Sequence, residues 1–376
     1  MSQPLEEQET RPLATIKPKT LCEVAIERIN TADVHNMVGK EDIHYWPEPL
    51  PTPTLNLPDP LILFSLEEND EIQAKMARRH KYMTVIPMTR REVLERRSHE
   101  NMKPSMQIPI GLIDKPEQQQ CEPLLVDLHG TKGELLGGPL VIVGAQHSGK
   151  ATALQTILFW LTTRFLPTQI HCAIIDPLAE LDRFHMLPHM RSGNGDLLWT
   201  EASTDEQLNR FTQQLTAQIQ RRRNAFPDQR WNTQTLSQLW TQGKTIPQLL
   251  LVISNYQLFA KRLAAATTLK KLVQTVIEAH AMGIYLIITS ADSSSHAIPA
   301  DIMSKCTTRI GLDLNELQRN ELFGKTQLLA EHVPGRGLIM TPDHKINQIQ
   351  LALPLAGQNE DAREEHLRIE LALALH

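Results

Sequence analysis

Seven consecutive residues, Gly144–Lys150, carry the clearest chemical signal in this sequence. They read Gly-Ala-Gln-His-Ser-Gly-Lys and match the G-x-x-x-x-G-K core of a phosphate-binding loop, or P-loop. The backbone N–H groups of such a loop and the N-terminus of the helix after it bind anions, and the lysine reaches the outer phosphates of a nucleotide. We therefore predict ATP as the ligand. The predicted binding residues are Gly144, Ala145, Gln146, His147, Ser148, Gly149, Lys150, Ala151 and Thr152.

The residues that would hold Mg²⁺ depart from the P-loop pattern. Ala151 stands where a Ser or Thr hydroxyl normally binds the metal. Thr152 follows, but one residue along a helix is a rotation of about 100°, so its hydroxyl points elsewhere. The strand predicted at residues 249–253 ends in Ser254 and Asn255, whereas P-loop ATPases carry a metal-side Asp there. We therefore doubt Mg²⁺ coordination and assign neither a metal site nor a catalytic residue.

Two other carboxylates, Asp176 and Asp292, follow strand-like runs, but neither belongs to the strand that carries the metal-side acid. Phosphoryl transfer depends on positioned, preorganised groups, and the loss of one typically lowers the rate by about 10²–10³. The hydroxyl ligand, the metal-side acid and the water-positioning acid are all missing from their usual places. We predict that the domain alone is not an efficient ATPase.

Strand-like runs alternate with helical patterns from Ile108 onward. This alternation indicates an α/β fold with a mostly parallel sheet and helices on both faces, as in a RecA-like P-loop NTPase domain. The last two strands are expected to form a hairpin. The predicted strands are residues 124–128, 140–143, 171–176, 249–253, 284–289, 308–312, 337–340 and 346–351, and the predicted helices are residues 153–166, 204–225 and 262–282.

The sequence on either side of this region lacks this alternation of strand-like and helical patterns. Residues 1–20 are polar and are predicted to be disordered, and residues 21–29 have the spacing of a short helix. Residues 46–60 contain six prolines and indicate an extended strap, and residues 66–100 indicate charged helices. We therefore divide the chain into an N-terminal extension at 1–105, a P-loop domain at 106–356 and a C-terminal helix at 357–376.

Composition limits the functions that the chain can have. The formal net charge is −5, which argues against a nucleic-acid-binding role for the chain as a whole. The four cysteines are isolated, which disfavours a zinc site or a disulfide framework, and Cys172 and Cys306 lie beside apolar runs and are predicted to be buried. No apolar run reaches 18 residues and the N-terminus is acidic, so we expect a cytoplasmic location.

Several segments carry a likeness to a known family: Leu21–Ile29 with Trp46-Pro47, Pro109–Pro116 with Pro123–Leu128, Gly144–Leu154, Ile175–Leu181 with Leu187–His189, and Pro334–Leu338. Together they resemble the FtsK/SpoIIIE family of ATPases, and most closely its EccC-type translocase ATPases of type VII secretion. The likeness extends over roughly residues 20–355. Relatives of this kind carry Ser after the lysine, acidic residues after the strand at 249–253, and Gln or Asn where this chain has Ser290 and Ala291. The resemblance therefore implies a degenerate later ATPase domain.

Three functions stay open at this point. The first is a pseudo-ATPase domain that docks partner domains or a helical protein substrate of a secretion translocase, with ATP bound structurally or not at all. It would be peripheral to a membrane complex through its partners. The second is an active motor completed by oligomerisation, in which Arg309 could reach a neighbouring copy, although a surface salt bridge is the simpler expectation for it. The third is a DNA translocase, which the acidic balance and the absence of a DNA-reading module oppose, so we do not expect DNA as a partner.

Overall fold

The computed structural model describes part of the chain. The described residues are 106–115, 120–129, 136–225, 231, 236, 238–239, 242–244, 246–330, 332–340, 344–354 and 367–368. The predicted extension at 1–105 lies outside them, and so does most of the predicted helix at 357–376. The proposed domain boundaries therefore stay a prediction.

Eleven strands and five α-helices have bounds that lie within the described residues. The strands are β1 Gln107–Lys115, β2 Gln120–Asp127, β3 Leu136–Gly137, β4 Leu140–Gly144, β5 Ile170–Ile175, β6 Trp199–Thr200, β7 Gln248–Ile253, β8 Ile284–Ser290, β9 Thr308–Leu312, β10 Arg336–Met340 and β11 Ile346–Leu351. The helices are α1 Lys150–Arg164, α2 Asp205–Ala225, α3 Leu263–Glu278, α4 Ala300–Met303 and α5 Glu316–Phe323. Short 3₁₀ turns lie at Asp182–Phe184, Pro188–Met190, Tyr256–Phe259 and His280–Met282.

The strands form one mixed sheet in the order β3-β2-β1-β11-β10-β9-β4-β8-β7-β5-β6. The half from β9 to β6 is parallel, with β4 between β8 and β9. The other half contains the antiparallel pairs β1–β2, β1–β11, β10–β11 and β9–β10. The predicted mostly parallel, RecA-like sheet is confirmed, and so is the predicted hairpin, which is β10–β11.

Alternating side chains of the central strands pack into two separate hydrophobic cores, one on each face of the sheet. Leu140 and Ile142 of β4 point into one core, which they share with apolar residues of α1. Val141 and Val143 point into the other, which contains the buried faces of α2 and α3. Strands buried on both faces need continuous apolar sequence, which explains why β4, β7 and β8 show no polar alternation.

Helices therefore cover both faces, as predicted. The two free thiols that the structure describes, Cys172 and Cys306, are buried as expected. Within the same described residues, no helix combines the length and the apolar character that crossing a membrane requires.

All parallel strands end at one edge of the sheet. The P-loop follows β4 there, Asp176 follows β5, and Ser254 and Asn255 follow β7. Helix α1 begins at Lys150, three residues before the predicted start, because its first turn is part of the P-loop and lacks the apolar periodicity on which the prediction depended. This edge is the place where the sequence features with chemistry converge.

Candidate nucleotide-binding site

The P-loop leaves β4 and turns sharply into α1. His147 and Gly149 both have positive φ, 61° and 104°, and Gly149 is the N-cap residue of the helix. The first regular helical bond runs from Ala153 N to the Gly149 carbonyl at 2.9 Å. The backbone N–H groups at the start of α1 have no partner within the helix and are available to an anion.

Lys150 is folded onto its own loop. Its Nζ donates hydrogen bonds to the carbonyl oxygens of Gly144 at 2.8 Å and Ala145 at 2.6 Å. The residue is only 9% exposed, and burial lowers the pKa of its ammonium, an effect that the negative charge of Glu180 opposes. A buried ammonium paired only with neutral carbonyls would gain from an anion, so the side chain is well placed for a phosphate.

The loop passes two tests of fit for a phosphate group. A Cβ on Gly144 would lie 2.5 Å from both the Leu312 carbonyl oxygen and the Ser148 hydroxyl, so only glycine allows this closeness. The Ser148 hydroxyl is buried and has no hydrogen-bond partner among the described residues. Buried polar groups normally have a partner, and a bound phosphate oxygen would supply one.

A second loop lies against the P-loop. Gly335, in the Pro334–Leu338 segment, donates its N–H to the Ser148 carbonyl at 2.8 Å, and its own carbonyl accepts from Leu351 N at 2.8 Å. A Cβ on Gly149 would come within 3.0 Å of Gly335 N. The two glycine-containing loops therefore touch backbone to backbone, a contact that the sequence did not reveal although both motifs were visible in it.

The metal side of the site is less complete. Ala151 and Thr152 are half-buried on the first turn of α1, and position 151 offers only a methyl group. Among the residues that the structure describes, no group of three His, Cys, Asp or Glu side chains could hold a metal ion. A standard P-loop ATPase binds magnesium through a hydroxyl after the lysine and an acid at the end of the strand equivalent to β7. The residues at these two positions do not supply those ligands.

The ends of β5 and β7 contain a residue that sequence reasoning missed. The Glu180 carboxylate accepts hydrogen bonds at Oε2 from Asn255 Nδ2 at 2.8 Å and Ser254 Oγ at 3.1 Å. The sequence contained one hint, because Glu180 follows Asp176 within the Ile175–Leu181 segment, but nothing in it predicted the pairing with β7. A carboxylate thus lies at the end of β7 although that strand carries none.

Asp176 organises the turn that carries Glu180. The residue is fully buried, and its Oδ2 accepts a hydrogen bond from Leu181 N at 2.7 Å. Burial raises the pKa of this carboxyl to about 6, and the neighbouring charges of Glu180 and Asp182 act in the same direction against two backbone hydrogen bonds. Its buried position supports a structural role for this side chain.

Arg309 does not form the surface salt bridge that the sequence suggested. Its guanidinium donates to the backbone carbonyls of Leu322 at 3.0 Å and of Met303 and Cys306 at 3.2 Å. Arg309 also pairs in register with Val141, near the start of β4, whereas the P-loop follows the end of that strand. The side chain is occupied in joining α4 and α5 to β9, so a role as an inter-subunit finger has no support.

Comparisons with known proteins agree with the motif-based resemblance. The model of the FtsK/SpoIIIE family matches residues 91–336. The ESX secretion system protein EccC of Geobacillus thermodenitrificans is 23% identical over 265 residues, covering 70% of this chain and 17% of that protein. The type VII secretion system protein EssC of Staphylococcus aureus strain MRSA252 is also 23% identical, covering 71% and 17%. The chain thus spans less than a fifth of the length of these relatives.

A solved structure shows the same fold. ATPases 2 and 3 of EssC from Geobacillus thermodenitrificans superimpose with a TM-score of 0.61 at 20% identity, over 73% of this chain and 49% of that one. At this level of identity the likeness establishes the architecture and leaves the chemistry to the residues described above.

Proposed function

The chain belongs to the FtsK/SpoIIIE family, and from this premise we propose that it forms a degenerate ATPase domain of a type VII secretion-like translocase. It binds ATP at the P-loop, hydrolyses it weakly at best, and acts by docking partner domains or a protein substrate. The observation that carries the proposal is the combination of an intact phosphate cradle with Ala151 in the metal-ligand position.

Nucleotide binding is supported by groups that already surround the phosphate position. Lys150 is buried beside the loop, the Ser148 hydroxyl lacks a partner among the described residues, and the glycines allow the backbone to close around an anion. Family membership implies nucleotide binding as well. ATP is therefore the proposed ligand, held by residues 144–152.

Weak hydrolysis follows from what the metal side lacks. Each preorganised group removed from such a site lowers the rate by about 10²–10³. Ala151 removes the hydroxyl ligand, and Ser254 and Asn255 replace the acid expected after β7. A domain with these replacements is expected to turn over far more slowly than an intact motor.

The partners are inferred from the relatives. Those proteins are named as secretion system components, and the superimposed structure is described as ATPases 2 and 3 of one chain. We propose that the partners are other ATPase domains or subunits of such a translocase, with a helical protein substrate or a second copy of this chain as further candidates. The domain would then work on the cytoplasmic side, attached to a membrane complex through its partners and without DNA.

Calorimetry with ATP and a sensitive hydrolysis assay test this proposal together. We expect saturable binding that Lys150→Ala abolishes, since the variant removes the buried cation, and turnover at least about 10²-fold below an intact family motor. Lys305→Ala is the matched control, because Lys305 is exposed and precedes β9, at the opposite end of the parallel strands from the P-loop. Absence of ATP binding in the unmodified chain would refute the nucleotide-binding part of the proposal.

The rival function is a motor completed by oligomerisation. It predicts hydrolysis that rises steeply with protein concentration and reaches the rate of an intact motor. Size-exclusion chromatography with ATP, run beside the assay, separates the two: fast, oligomer-dependent turnover sensitive to Lys150→Ala would overturn the degenerate assignment.

A further inference from the structure

A carboxylate from a neighbouring strand occupies the end of β7. Glu180 belongs to the turn after β5, yet its Oε2 accepts hydrogen bonds from Ser254 and Asn255, the two residues that follow β7. These partners are 74 and 75 residues away along the chain. The negative charge therefore lies where β7 itself supplies only a hydroxyl and an amide.

The backbone of Glu180 is tied on both sides. Its carbonyl accepts a hydrogen bond from Gln155 Nε2 on α1 at 3.2 Å, which links it to the helix that begins with the P-loop lysine. The next residue, Leu181, is fully buried, and its N–H is bound by Asp176 at 2.7 Å. The side chain is thus placed in advance, although the residue itself is exposed.

One carboxylate oxygen remains available. Both hydrogen bonds go to Oε2, and none of the residues that the structure describes donates to Oε1. A carboxylate held by one oxygen and open at the other can accept a proton from a water molecule.

The charge of Glu180 also acts on the phosphate-binding lysine. Burial lowers the pKa of the Lys150 ammonium, and the negative charge of Glu180 raises it in opposition. Strands β7 and β4 are parallel and separated by β8 alone, so their ends lie roughly 10 Å apart at the usual strand spacing. A triphosphate held by the P-loop would extend into this space.

We propose that Glu180 is the water-positioning base of this domain and replaces the acid that β7 lacks. The inference depends on the proposed ATP binding and assigns the weak hydrolysis to a residue. Water attacks the γ-phosphorus, the bond from that phosphorus to the bridging oxygen of ADP breaks, and one proton of the water passes to Glu180 and then to solvent. The products are ADP and inorganic phosphate.

Two substitutions of Glu180 distinguish a base from a structural contact. Glu180→Gln keeps an oxygen that accepts from Ser254 and Asn255 but cannot take up a proton at neutral pH, whereas Glu180→Ala removes both properties. A base predicts that both variants lose hydrolysis equally, by at least tenfold in single-turnover assays with ATP. A role confined to holding the turn predicts that Glu180→Gln keeps the unmodified rate, and that result would overturn the proposal.

Nucleotide affinity supplies a second readout that does not depend on turnover. If Glu180 acts on a γ-phosphate bound at the P-loop, removing its negative charge in Glu180→Gln should strengthen binding of a fluorescent ATP analogue at least twofold. The control is Glu201→Gln, because Glu201 is an exposed carboxylate after β6, two strands beyond β7, and both readouts should stay unchanged there. Equal effects in the two variants would contradict a specific role for Glu180.

A carboxylate moved onto β7 should rescue the loss. In the double variant Glu180→Gln with Asn255→Asp, an acid returns to the strand end and a Gln–Asp hydrogen bond can still hold the turn. We expect at least half of the lost hydrolysis, on a logarithmic scale, to return. Normal ATP binding with hydrolysis no higher in the unmodified chain than in Lys150→Ala would overturn this inference alone, whereas absent ATP binding would refute the proposed function.

Discussion

Substitution of Gly335 by Ala probes the contact between the two glycine-containing loops. Gly335 has a φ of 77°, and an added Cβ would lie 2.9 Å from Gln350 Nε2. Gln350 is fully buried and donates to the Leu351 carbonyl at 3.1 Å, so its amide cannot retreat into solvent. The same glycine donates to the Ser148 carbonyl, so a displacement here reaches the P-loop.

The expected destabilisation has two parts. A residue with a Cβ at positive φ costs roughly 1–2 kcal/mol. The contact adds the loss of the Gln350 hydrogen bond, about 1 kcal/mol, and overpacking of about 1 kcal/mol or more. Gly195 separates the parts, because it has a φ of 84° with nothing within 4 Å of the added Cβ, so Gly195→Ala bears only the backbone part.

Thermal unfolding followed by circular dichroism measures the difference. At about 2–4 °C per kcal/mol for a domain of 150–250 residues, the contact should lower the Tm of Gly335→Ala by roughly 4–8 °C below that of Gly195→Ala. Calorimetry should show weaker ATP binding in Gly335→Ala and unchanged binding in Gly195→Ala. Equal Tm values for the two variants would refute the reasoning, since both carry the same backbone strain.

Two further predictions concern protonation and the metal side. Burial, reinforced by the positive charge of Arg222, lowers the pKa of His171 from 6.5 to about 4. Between pH 4 and pH 6.5 this imidazole is therefore protonated in the unfolded chain and neutral in the folded chain. Its contribution, at most about 3.4 kcal/mol, is present above pH 6.5 and is lost as the pH falls toward 4. His171→Gln should therefore flatten the pH dependence of the free energy of unfolding, measured with urea, over this range. An unchanged slope would contradict this. Ala151→Thr should raise Mg²⁺-dependent hydrolysis by about tenfold or more, whereas Ala151→Val, which has the same shape without a hydroxyl, should not. Equal hydrolysis rates in these two variants would show that the missing hydroxyl at position 151 does not limit hydrolysis.

The elements of the central sheet were predictable because apolar continuity is a local signal. The runs at residues 140–143 and 249–253 appear as β4 and β7 with shifts of one residue at their ends. The helix expected at 262–282 ends at Glu278 and continues as a 3₁₀ turn to Met282, because the chain tightens before Gly283, which has a φ of 75°. Periodicity alone does not distinguish these two helix types at their junction.

The order of the strands was not predictable in the same way. Sequence alternation indicated a mostly parallel sheet, but it could not place β10 and β11 between β9 and β1, since that arrangement depends on pairing across long stretches of chain. The prediction for Arg309 failed at shorter range: the sequence suggested a surface charge pair, whereas its guanidinium donates to carbonyl oxygens 3, 6 and 13 residues away. Its backbone carbonyl partners come from α4 and α5, which only the packed structure brings to it.

The sequence by itself determined the P-loop, its lysine and the absence of a hydroxyl at Ala151, because these depend on residue types at fixed spacing within one turn. It also determined that β7 ends without an acid. Only the tertiary structure decided that Glu180 lies at that end and that Gly335 touches Ser148. Hydrogen bonds between residues far apart in sequence depend on which strands become neighbours in the sheet. A local sequence pattern does not contain that information.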